Sequence, residues 1–124
     1  MRAEGTLDHI GLYVGNLDRS LKFYVDVFGF PEHHRFRVGE AQIAVLETGE
    51  GLLELIQRPG SPAEPSKGNR IHVAFQVNDY AAMERRLEGM GLELRKMTRD
   101  NGSHIAFFKD PDGHDVEIME KGLG

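Results

Sequence analysis

An α+β fold built from two βαβββ modules is what the sequence predicts, and three observations predict it. The order strand, helix, three strands is written twice along 124 residues. Matching residues of the two copies share one offset: His9 and His72, Val14 and Val77, and Glu54 and Glu117 are each 63 apart. The glycines that end the two helices, Gly29 and Gly91, recur at 62, a one-residue slip in the strand-to-helix turn. A fixed offset carried by matched elements marks an internal duplication.

The elements follow in order. Residues 6–14 alternate, with Ile10, Leu12 and Val14 on one face and His9, Gly11 and Tyr13 on the other. Residues 16–28 place Leu17, Leu21, Tyr24 and Phe28 at helical spacing, and Gly29 is a natural stop. Three strands are expected at about 31–38, 41–48 and 51–58, with turns at Gly39–Glu40 and Gly49–Glu50–Gly51. Residues 59–69 hold three of the five prolines and read as a linker. The second copy opens with a strand at 70–77 and a helix at 78–90, with Met83, Leu87 and Met90 facing inward and Gly91 ending it. Strands near 92–97, 103–109 and 114–120 complete the pattern, the last two joined by the turn Asp110–Pro111–Asp112–Gly113. A single domain over 1–124 thus divides into module 1 at about 6–58 and module 2 at about 70–120.

Composition narrows the function classes. At 40% apolar and 28% charged, the chain has the balance of a folded globular domain. No apolar run is long enough to span a membrane, and MRAEGT lacks the basic start and apolar stretch of a signal peptide. A cytoplasmic protein is expected. With no cysteine there are no disulfides, thiolate metal sites or cysteine nucleophile. A net charge of −5 argues against nucleic acid or an anionic membrane as partner.

Four residues carry the chemical signal. In each module a histidine on the first strand is followed 45 residues later by a glutamate on the last. Alternation sets His9 opposite Ile10, Leu12 and Val14, and His72 opposite Ile71, Val73 and Phe75; Glu54 and Glu117 likewise lie opposite their apolar neighbours. The apolar faces can cover helices, which leaves His9, Glu54, His72 and Glu117 on the uncovered faces. Two imidazoles and two carboxylates suit one divalent transition metal: nickel, cobalt or zinc, with manganese and iron as further candidates. Tyr13 and Gln76 share strand faces with the two histidines and are candidate substrate contacts. Arg35, Arg37, Arg58 and Arg70 could meet an anionic substrate, with surface charge the simpler reading. His33, His34 and His104 read as solvated or packing residues, and His114 as part of the Asp-Gly turn.

The segments LDHIGLYVGNLDRSLKFYVDVFGF, GLLELIQ, RIHVAFQV and FFKDPDGHDVEIME resemble the vicinal oxygen chelate superfamily, which includes glyoxalase I, methylmalonyl-CoA epimerase, fosfomycin-resistance enzymes, extradiol dioxygenases and bleomycin-binding proteins. The resemblance implies paired βαβββ modules forming a cupped mixed sheet around a metal, helices on the outer face, and a homodimer. Among these proteins the His, Glu, His, Glu set resembles glyoxalase I. That implies a metal-dependent lyase or isomerase acting on a small, oxygen-rich substrate of the hemithioacetal type. Glu117, with Glu54 as its counterpart, is the implied base, moving a proton through an enediolate whose charge the metal stabilises. The positions that hold glutathione in bacterial glyoxalase I are Tyr13 and Arg58 here, so glutathione, another thiol and coenzyme A all stay open. An epimerase of methylmalonyl-CoA type, for which Lys67 and Arg70 would be the basic residues, is the first alternative. A metal-free protein that sequesters a drug or metabolite is the second.

Overall fold

The structure is a computed structural model that describes Glu4, residues 8–60 and residues 71–123. The chain divides into two compact units, Met1–Ala63 and Glu64–Gly124. The first runs β1 (His9–Tyr13), α1 (Leu17–Phe28), β2 (Glu32–Val38), β3 (Ala41–Glu47) and β4 (Leu52–Gln57). The second repeats it as β5 (His72–Gln76), α2 (Tyr80–Gly89), β6 (Arg95–Thr98), β7 (His104–Lys109) and β8 (Asp115–Met119). Each unit holds one mixed sheet, in the orders β1-β4-β3-β2 and β5-β8-β7-β6. The opening strand of each pairs parallel with the last, and the other pairs are antiparallel. The α+β class and the duplicated βαβββ order are therefore those the sequence predicts.

Local chemistry sets the ends of α1. The Asn16 side chain accepts from the Arg19 amide, and Gly29 closes the helix at φ 72 with its N–H on Val25 O. A left-handed residue is required there, and glycine adopts it without a Cβ clash. Gln57 ties the helix start to the sheet: its Oε1 accepts from the Leu17 amide at 2.7 Å. The buried stripe is Leu17, Leu21, Tyr24 and Val27, packed over β3 and β4, where Leu46, Leu53 and Leu55 are fully buried. Ile10 departs from its expected inward role, at 39% exposed, since β1 is an edge strand and α1 lies over its inner neighbours.

The second unit corrects two expectations. Leu87 is fully buried, but Met83 is only half-buried and Met90 is exposed. The chain leaves the helical path at Met90: the Leu92 amide turns back to Leu87 O, and Gly91 takes φ 83. The same turn holds residues 92–94 out of the strand expected at 92–97, so β6 starts only at Arg95. Tyr80, beside its cap Asp79, supplies the inward contact at the start of α2. From residue 61 onward the expected linker lies outside the described residues, as do the first residues of the strand expected at 6–14.

Leu55 is completely buried beneath α1, whereas Val38 is 62% exposed. Leu55→Ala is expected to cost about 2–5 kcal/mol, and Val38→Ala less than about 0.5 kcal/mol. Urea denaturation followed by circular dichroism measures both.

Candidate metal centre

Sheet register explains why the same residue types return to the same face. Gly11 pairs with Glu54, which in turn pairs with Val45. Ala74 pairs with Glu117, which pairs with Phe107. Gly11 and Ala74 are therefore equivalent positions, and in each strand the histidine stands two residues earlier on the same face. That face is the one turned away from Leu53 and Leu55 in the first sheet and from Val116 and Ile118 in the second.

Within each unit the expected pair comes together. His9 Nε2 lies 3.6 Å from Glu54 Oε1, and His72 Nε2 lies 3.0 Å from Glu117 Oε1. Donors bound at about 2.1 Å to a single ion stand about 3.0–3.4 Å apart at octahedral or tetrahedral angles. The His72–Glu117 pair falls within that spacing and the His9–Glu54 pair lies 0.2 Å beyond it. Glu117 is 6% exposed and the more enclosed of the two acids. Gly11 leaves room beside the first pair: a Cβ there would stand 3.1 Å from Glu54 Oε1 and 3.3 Å from Ile56 Cδ1, contacts that would push these side chains by a few tenths of an ångström.

The two histidines are held differently. Asp8 Oδ2 lies 2.8 Å from His9 Nδ1, which fixes the ring and leaves Nε2 toward Glu54, the arrangement common for a metal-binding imidazole. This hydrogen bond is the main reason the His9 pKa is raised; burial opposes it, and the Glu54 and Asp8 charges reinforce it. Ile71 precedes His72 and offers no side-chain acceptor. The Phe107 ring stands edge-on to His72 instead, 5.4 Å between centroids.

The remaining expected residues divide. Tyr13 lies on the His9 face with the Arg58 guanidinium 5.2 Å over its ring, and Gln76 lies on the His72 face. Arg35 is engaged by Glu32 and Asp18; Lys67 and Arg70 lie outside the described residues. His33 pairs with Glu47 at 2.8 Å, and His34 stacks on Phe36. Ile43, Val45 and Ile56, with Leu52 against them, form a buried apolar cluster on the Glu54 side of the first sheet.

Sequence reasoning missed Arg95. It pairs with Phe107 in register and sets its guanidinium 5.0 Å from that ring, so Glu117, Phe107 and Arg95 form one row across three strands. The alternation of residues 92–97 was the available signal, and it was obscured because that strand was expected to begin three residues too early. The Asp-Pro-Asp-Gly turn is also more than punctuation. Asp110, Asp112 and His114 bring ligand atoms within 4.8 Å of one another. Asp110 Oδ1 accepts from the Asp112 and His114 amides at 3.0 and 2.8 Å, which accounts for a buried carboxylate at this corner.

The chain belongs to the Glyoxalase/Bleomycin resistance protein/Dioxygenase superfamily, whose family model matches residues 6–118. It is 31% identical over 121 residues to a probable lactoylglutathione lyase of Vibrio cholerae, spanning 90% of this chain and 88% of that protein. It is also 29% identical over 116 residues to the glutathione transferase FosA of Serratia marcescens, spanning 91% and 79%. The crystal structure of a glyoxalase family protein from Enterococcus faecalis aligns with a TM-score of 0.79 at 27% identity, covering 94% of this chain and 98% of that one. Among the described residues no helix is long and apolar enough to cross a membrane.

Asp8→Asn removes the main influence that raises the His9 pKa. The His9 titration midpoint, followed by NMR in metal-free protein, is expected to fall toward that of an ordinary histidine.

Proposed function

We propose that this protein is a divalent-metal-dependent lyase or isomerase of glyoxalase I type, acting in the cytoplasm as a homodimer. The observation that carries the proposal is the duplicated His–Glu pair, at 3.6 and 3.0 Å, at one register on the helix-free face of each sheet. His9, Glu54, His72 and Glu117 would together hold one ion of nickel, cobalt or zinc, or else of manganese or iron. When bound, that ion supplies Lewis-acid stabilisation of negative charge on adjacent substrate oxygens.

The chain's own residues account for the rest. Glu117, enclosed beside His72, takes a proton from the carbon next to a carbonyl and returns it to the neighbouring carbon. The electron pair left by the C–H bond opens into the carbonyl and ends in the new C–H bond at the former carbonyl carbon, while the hydroxyl proton of the first carbon passes to the former carbonyl oxygen and leaves a new carbonyl behind, so no oxidant is consumed. Glu54 is its counterpart from the other module. The apolar cluster of Ile43, Val45 and Ile56 limits water beside Glu54, which strengthens charge interactions there. Tyr13, Gln76 and Arg58 are positioned to contact substrate, and Arg95 offers a cation to an anionic end. A thiol adduct carrying a carboxylate fits these groups. The similarity to a glutathione transferase supports a second reading, thiol transfer to a small oxygen-rich substrate at the same four residues.

Metal analysis of protein purified without added metal, followed by assays of hemithioacetals, acyl-CoA esters and fosfomycin with each metal in turn, separates these activities. Glu117→Gln is expected to lower kcat by about 10²–10⁴-fold, the usual contribution of a positioned base, and to weaken metal binding. Full turnover by metal-stripped protein would rule the scheme out. Arg95→Met is expected to raise KM several-fold for an anionic substrate with kcat little changed, the pattern of a lost binding contact.

A further inference from the structure

The hairpin tip between β6 and β7 carries chemistry of its own. It holds Asn101 and Gly102, the single Asn-Gly step of the chain. Gly102 takes φ 83, a left-handed backbone that favours glycine. A three-residue loop closing on such a glycine is a common way to join two antiparallel strands. Asparagine suits the position before it for a separate reason: its side chain bonds the backbone two residues on. Here Asn101 Oδ1 accepts from the Ser103 amide at 3.0 Å.

Turn geometry thus brings together the pair of residue types most prone to intramolecular attack. With no side chain on the following residue, the Gly102 nitrogen of an unfolded chain reaches the Asn101 side-chain carbon easily. A bond forms from Gly102 N to Asn101 Cγ, the Cγ–Nδ2 bond breaks, and its electron pair leaves with Nδ2. The Gly102 amide proton passes through solvent to that nitrogen, which departs as ammonia. Water then opens the cyclic imide, its hydroxyl adding to a ring carbonyl and its proton going to the ring nitrogen. Breaking the bond to Cγ yields aspartate, and breaking the bond to the main-chain carbonyl carbon yields isoaspartate.

The fold closes this route at both reacting groups. The Gly102 N–H, which must give up its proton, donates to Arg99 O at 2.9 Å. The Asn101 carboxamide, which must turn toward Gly102, is held by the Ser103 hydroxyl at 2.6 Å as well as by the Ser103 amide. Ser103 is 2% exposed, so little water is at hand to take the place of its hydroxyl. The Arg99 amide donates to Ser103 O at 2.8 Å and ties the two ends of the loop together. In the first unit the matching turn, between β2 and β3, is Gly39-Glu40 and contains no asparagine.

The position of the hairpin gives the modification a consequence. Pairing of β6 with β7 sets Arg95 beside Phe107, in the row that includes Glu117. Isoaspartate moves the side-chain methylene into the main chain, and the added backbone atom shifts the Gly102 and Ser103 amides away from their acceptors.

We propose that Asn101 is a deamidation site that Ser103 and the Gly102–Arg99 hydrogen bond hold closed in the folded chain, and that it converts to aspartate and isoaspartate when the hairpin tip opens. The test is incubation of the full chain in mildly alkaline buffer, with and without guanidinium chloride, followed by trypsin digestion and mass spectrometry of the peptide 100–109. Conversion in the folded chain is expected to be at least tenfold slower than in the unfolded chain. Ser103→Ala removes one of the two bonds to Oδ1 and is expected to speed conversion several-fold in the folded chain, with little change in denaturant; circular dichroism checks that the variant is folded. In the wild type, denaturant added below the unfolding transition should raise Gly102 amide hydrogen exchange and Asn101 conversion together, a readout that does not depend on the variant. Equal rates in folded and unfolded chains, an unchanged rate in folded Ser103→Ala, or conversion that stays constant while Gly102 exchange rises would overturn the proposal.

Discussion

Parallel pairing of the opening strand with the closing strand is the constraint on which both halves of this molecule depend. It sets a histidine and a glutamate, 45 residues apart in sequence, on one face and diagonally adjacent. A shift of one residue would send both side chains to the helix face, where Leu53, Leu55, Val116 and Ile118 are buried. Burying those apolar neighbours therefore secures the position of the glutamates. Core packing and candidate ligand geometry are two consequences of a single register.

Duplication has kept that register while changing what surrounds it. The first pair lies open, at 3.6 Å, with glycine across from the acid and Asp8 behind the histidine. The second is closer, at 3.0 Å, with alanine across from the acid and an aromatic ring beside the histidine. The same residue types therefore stand in unequal surroundings, with Glu117 the more enclosed acid.

The helix faces have diverged further. In the first unit a neutral glutamine joins sheet to helix, and in the second an acid, an imidazole and a buried phenol surround a cavity. The two faces of the second sheet thus carry separate polar groups, and the buried layer of Val116, Ile118, Ala106 and Phe108 lies on the side where the cavity opens. A change on one face need not disturb the other, because adjacent residues of a strand point in opposite directions.

The two modules, their element order and the four His and Glu positions were legible in the chain, since period-two alternation and a repeat offset are local, countable properties. Asn16 and Gly29 were equally legible, since a cap and a left-handed turn depend on a few neighbouring residues. Arg95 was not: its place beside Phe107, in one row with Glu117, depends on where β6 starts, after the turn in which the Leu92 amide bonds back to Leu87 O. Tyr80 was hidden for a similar reason, because the inward stripe of α2 is chosen by what lies beneath the helix, and spacing alone favoured Met90. Spacings of 3.6 and 3.0 Å between groups far apart in sequence exist only once strands are paired, because register, and not proximity along the chain, brings those atoms together.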